Sequence, residues 1–71
     1  MTIKHGRGHV VEFDGPRGLG TIESEQGTRL RFHCTQLVDG TRDIAVGTAV
    51  RYEVVPGALG DWEAAAVESL S

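Results

Sequence analysis

A chain of 71 residues with one cysteine and a formal net charge of −3 has room for one domain, spanning residues 1–71. These numbers argue against an internal disulfide, a membrane span of ~20 apolar residues and a uniformly basic nucleic-acid binder. The core of so short a chain is thin, because folding hides only about 60 % of the surface that the unfolded chain exposes.

The charge is uneven. Residues 1–33 hold five basic and four acidic side chains, a balance of +1, whereas residues 34–71 hold two basic and six acidic, a balance of −4. Any anion-binding surface therefore belongs to the first half. Residues 1–7 contain no apolar run of the kind a secretory leader needs, and a lone thiol fits a reducing, cytoplasmic setting.

Ten glycines with little helical periodicity predict short strands joined by turns. The first strand is expected over residues 8–13, with Val10, Val11 and Phe13 as its apolar contacts. Residues 14–18 (Asp-Gly-Pro-Arg-Gly) carry turn chemistry, since Asp bonds its own backbone, Gly permits positive φ and Pro fixes φ. A second strand over 19–23 follows, then a hairpin turn at 25–28 and a third strand over 29–34. On that third strand period-two alternation sends Leu30 and Phe32 to one face and Arg31 and His33 to the other.

Residues 35–38 predict a single helical turn with Thr35 as N-cap, and 39–43 a loop. Alternation of Val50, Tyr52 and Val54 with Arg51 and Glu53 predicts a fourth strand over 48–55. After a turn at 56–61, a fifth strand begins near Trp62 and ends near Leu70. Its Ala64-Ala65-Ala66-Val67 run favours helix locally, but it is short and uncapped. Five strands in so short a chain predict a small closed barrel, which leaves no edge exposed for aggregation.

Several segments taken together carry a resemblance. Gly8, Val10 and Phe13 match an opening Gly-x-Val-x-x-Phe. Arg17-Gly18-Leu19-Gly20-Thr21-Ile22 aligns without a gap to Lys-Gly-Phe-Gly-Phe-Ile, and Leu30-Arg31-Phe32-His33-Cys34 to Val-Phe-Val-His-Phe. Val46 to Glu53 follows a later Glu-Gly-x-x-Val-x-Phe-Glu, and Gly60 to Val67 a closing Gly-Pro-x-Ala-x-x-Val. In this order the chain resembles the bacterial cold-shock domain over about residues 8–67. The resemblance implies an all-β, five-stranded antiparallel oligonucleotide-binding barrel that binds single-stranded RNA or DNA. It also implies a role in RNA chaperoning or transcript regulation under stress, without a cofactor.

By the same resemblance the nucleic-acid-binding positions are Phe13, Arg17, Leu19, Thr21, Arg31 and His33, with Lys4 or Arg7 meeting phosphates. Phe13 and His33 retain family binding residues, and Arg17 keeps the charge of the motif lysine. Elsewhere the aromatics have become Leu19, Thr21, Arg31 and Cys34, and Glu12 stands where a tryptophan is expected. Base–aromatic stacking is worth about 1–3 kcal/mol per base, so losing two or three contacts removes about 2–9 kcal/mol of family-type affinity. Arg31 offsets part of this, because a guanidinium plane stacks on a base as well as pairing with phosphate.

Bland readings stand beside these. Phe13 is either a stacking platform or core at the end of its strand, whereas Phe32 has inward parity. His33 is either a ligand contact or a solvated surface ring, and Arg17 and Arg31 either contacts or ordinary surface charges. Leu19 is a single exposed leucine of the kind most surfaces carry. Trp62 either caps the barrel or anchors a protein partner. His5, His9, His33 and Cys34 match no zinc spacing, and Cys34 reads as a packing residue without a marked base. The glycines of 15–20 precede no helix pattern, so they fail as a phosphate loop. No carboxylate pair is marked out for acid–base work, so an enzyme is not expected. The rival function is a barrel that has lost nucleic-acid binding and serves protein–protein contact, suggested by the missing aromatics, the acidic second half and Trp62.

Overall fold

The computed structural model describes residues 4–41, 43–57 and 60–70. Arg42 and residues 58–59, parts of the two predicted loops, lie outside the described residues. Five strands run in the order β1 (Lys4–Asp14), β2 (Leu19–Ser24), β3 (Arg29–His33), β4 (Ala49–Pro56) and β5 (Trp62–Ser69), with one 3₁₀ turn (Cys34–Gln36) between β3 and β4. They close into a barrel in the spatial order β1-β2-β3-β5-β4. The residues of the Ala64–Val67 run lie in β5, as strand.

The barrel is mixed where an antiparallel one was expected: β3 and β5 pair in parallel, through Arg31 and Glu63. Parity forces this. Direction alternates around a closed ring only if the strand number is even, so five strands leave one like-directed pair. That seam is short, and a bridge between Leu37 and Val67 and a Val38 N–H to Val67 carbonyl bond of 3.0 Å extend it.

β1 begins four residues before its expected start. Lys4 to His9 pair with β4, while Gly8 to Asp14 pair with β2, so one long strand serves both neighbours. Its N-terminal half lacks apolar alternation because its inward positions are Gly6 and Gly8. A Cβ on Gly8 would lie 2.0 Å from the Glu23 carbonyl oxygen, so only glycine lets β1 cross β2 this closely.

A bulge then sets the phase of the rest of β1. Val10 faces Ile22 and Glu12 faces Thr21, which leaves Val11 as the extra residue. The extra residue flips the parity that follows. Val10 and Phe13 therefore both reach inward although they are three apart, and Glu12 is turned out. The core consists of Val10, Ile22, Leu30, Phe32, Leu37, Val50, Tyr52, Ala64 and Val67, with Phe13, Cys34, Ile44 and Val54 packed against it. Among the described residues no helix is long and apolar enough to cross a membrane.

Candidate nucleic-acid interface

The outward side chains of β1, β2 and β3 stand in three rows fixed by strand register. The first row is Asp14, Leu19 and His33; the second is Glu12, Thr21 and Arg31, continued by Glu63 on β5; the third is His9, Glu23 and Arg29. Leu19, Arg31 and His33 are exposed and Thr21 is half-buried. Arg17, Leu19, Thr21 and Arg31 line a hollow of about 220 Å³ together with Glu12 and Asp14. Four of the six predicted binding positions thus share one surface depression.

Phe13 is placed differently. Its ring lies parallel to that of Phe32, 6.1 Å between centroids and 16° between planes. A Cβ on Gly20, the residue between them in register, would meet the Phe32 ring at 2.4 Å and Phe13 at 3.0 Å. Both rings therefore occupy the space that Gly20 leaves vacant. Phe13 is half-buried on the core side, and the Val11 bulge is what puts it there.

His33 is tied locally. Its Nδ1 accepts the Thr35 backbone N–H at 3.2 Å and lies 2.9 Å from the Thr35 hydroxyl. It is thus the cap of the 3₁₀ turn, a place expected for Thr35. Accepting at Nδ1 leaves Nε2 as the protonated nitrogen of the neutral ring. That N–H is the donor His33 has to offer a ligand.

The cations differ in how far they are committed. Arg17 lies 3.7 Å from Asp14, and Arg29 lies 3.5 Å from Glu23. The Arg31 side chain makes no hydrogen bond or ion pair among the described residues. Its row nevertheless ends in a carboxylate on each side. With strands about 4.8 Å apart, Glu63 is one strand from Arg31 and Glu12 is two. The first distance is well inside the Debye length of ~8–10 Å at physiological salt and the second is close to it, so both carboxylates weaken the potential a phosphate meets at Arg31. Three arginines (17, 29 and 31) face four carboxylates (12, 14, 23 and 63) on this surface.

Glu63 was not singled out by sequence reasoning. Its signal lies in barrel closure, because a fifth strand returning to β3 must bring some outward residue beside Arg31. Cys34 packs against the Gly18 backbone, where an added Cβ would lie 2.8 Å from its sulfur. Among the described residues no group of three His, Cys, Asp or Glu side chains is arranged to hold a metal ion. No family model matches the chain, and no curated protein matches it either.

Proposed function

We propose that this barrel binds single-stranded RNA or DNA weakly across the outward face of β1, β2 and β3, acting in the cytoplasm as an RNA chaperone or transcript regulator. The observation that carries the reading is Arg31: exposed, free of ion pairs and central in its row, with Arg29 and His33 flanking it on the same face of β3. Its guanidinium serves a phosphate or stacks on a base. His33 offers its Nε2–H, Leu19 an apolar contact and Arg17 a second cation at the rim. The resemblance to the cold-shock domain supports the same surface, and the loss of its aromatics together with Glu12 and Glu63 makes the affinity low.

The test is a titration of isotope-labelled protein with a short pyrimidine-rich strand at two salt concentrations. Amide shifts clustered at Arg17 to Thr21 and Arg31 to His33, shrinking as salt rises, are the expected result, because phosphate contacts release counterions. Amides unmoved at low salt overturn the reading. They favour the second one, a protein-interaction module, which the 60 % exposure of Trp62 and the acidic second half support.

A further inference from the structure

One end of the barrel opens into a cleft of about 720 Å³, within the ~300–1,000 Å³ typical of ligand sites. Its floor is the side of Tyr52 with Leu30 and Val54, and Trp62 forms one wall. Tyr52 lies across β1 because residue 6 is glycine: a Cβ there would meet the phenol ring at 2.9 Å. Lys4, on the same side of β1 as Gly6 and Tyr52, and Arg7, which leaves the other side of that strand beside Arg51, both line it. Neither makes a side-chain hydrogen bond or ion pair among the described residues. Glu25 is the cleft's one carboxylate, and it pairs with neither. In contrast to the β1–β2–β3 face, this site has two uncommitted cations against one acid, beside an exposed indole.

We infer that this cleft binds a nucleoside monophosphate unit, its base against the Trp62 indole and its phosphate on Lys4 and Arg7. The three requirements of such a ligand are met together: an apolar floor, a flat aromatic surface for a planar ring and cations at the rim for a phosphate. The inference extends the strand-binding reading, since the unit is either the terminal nucleotide of a bound strand or a free nucleotide.

Trp62 is the sole tryptophan. It borders both the cleft and the hollow beside Arg29 and Arg31, so a change in its emission is assigned to the cleft only where K4Q/R7Q weakens it. AMP, adenosine and a short 5′-phosphorylated strand are titrated separately into the whole chain and into K4Q/R7Q, with amide shifts followed in parallel. Saturable quenching by AMP near about 1 mM is expected, with adenosine about tenfold weaker and K4Q/R7Q about tenfold weaker for AMP but unchanged for adenosine. Quenching by the strand that K4Q/R7Q weakens identifies a strand terminus as a source, and quenching by AMP alone identifies the free nucleotide. Equal affinity for AMP and adenosine, or no saturable quenching by AMP, overturns the inference. Strand-induced shifts at Arg31 with Trp62 emission unchanged by AMP overturn it while leaving the strand-binding reading intact. Quenching by AMP with the Arg31 amides unmoved by the strand does the reverse.

Discussion

The two faces of β2 and β3 are made by alternate residues of the same eleven-residue pair of strands, and they obey different constraints. Inward, Ile22, Leu30 and Phe32 are 0–5 % exposed, and Gly20 is fixed by the rings stacked over it. Volume changes of a single methyl group are felt there. Outward, Leu19, Thr21, Arg31 and His33 meet water, and their arginine neighbours Arg17 and Arg29 are held only by surface pairs of the sort worth 0–1 kcal/mol. Packing dictates the first face and tolerates almost anything on the second. A barrel of this kind keeps its fold while its binding chemistry is replaced, which is why function must be argued from the outer rows.

The largest test of this contrast compares neighbours on one strand. Ile22→Ala removes a fully buried side chain and should cost about 2–5 kcal/mol, whereas Thr21→Ala should stay within about 0.5 kcal/mol of wild type. In a domain this small each kcal/mol moves the melting temperature by about 4–8 °C, so circular dichroism melts resolve the two easily. Similar losses for both would erase the distinction between the faces.

A second test acts on the outer row alone. Glu12→Gln with Glu63→Gln removes two negative charges within about 10 Å of Arg31. In water each interaction at such a distance is worth about 0.5 kcal/mol, so strand affinity should rise about fivefold and fall more steeply with salt. Stability should barely move. Arg31→Glu in the same assay should abolish measurable binding. Fluorescence anisotropy of a labelled strand at low salt reads both, and an unchanged affinity in the double variant would place the strand's path elsewhere.

Much of this arrangement is legible in the sequence. The inward parity of Leu30 and Phe32 and of Val50, Tyr52 and Val54 follows from alternation alone, and five such runs in a short chain imply closure. Three features are not legible, each for a physical reason. The start of β1 is hidden because its inward residues are glycines, which carry no hydrophobic signal. The side on which Phe13 and Glu12 fall depends on a one-residue bulge at Val11, and Val10-Val11-Glu12-Phe13 is compatible with either phase. The placement of Glu63 beside Arg31 is a long-range register that no local pattern encodes. The outward face of β2 and β3 and, through the resemblance, the acid at Glu12 are therefore readable from the sequence, whereas Glu63 at the other end of the row is not.

A third test concerns the second bulge. β5 loses register against β4 between Arg51 and Glu53, which lets Ala64 and Val67, again three apart, both face the core. Ala66 sits in this bulge at φ 49°, a left-handed conformation that glycine adopts without steric cost. Its N–H is held at 3.3 Å by the Gln36 side chain. Ala66→Gly should therefore stabilise the barrel by about 0.5–1 kcal/mol, the strain relieved exceeding the added chain entropy. A lower melting temperature would show that Ala66 packing outweighs its backbone strain.

The smallest effect lies at the barrel's open end and is read at the sole tyrosine. Burial raises the Tyr52 hydroxyl above its ordinary value of 10.0, the hydrogen bond with Ser24 opposes the rise and the Glu25 charge adds to it. The unfolded chain then releases the phenolic proton first, so it binds fewer protons than the folded chain once the pH exceeds about 10. The contribution to stability is complete below that pH and is lost as the pH climbs through the folded value. Ultraviolet absorbance of the phenolate should show ionisation at higher pH in the native protein than in denaturant. Glu25→Gln should move the native midpoint back toward the ordinary value, and Ser24→Ala should move it further away. A native midpoint equal to the denatured one would mean that water reaches the ring freely. The apolar floor that distinguishes the cleft from the charge-balanced outer face would then be lost.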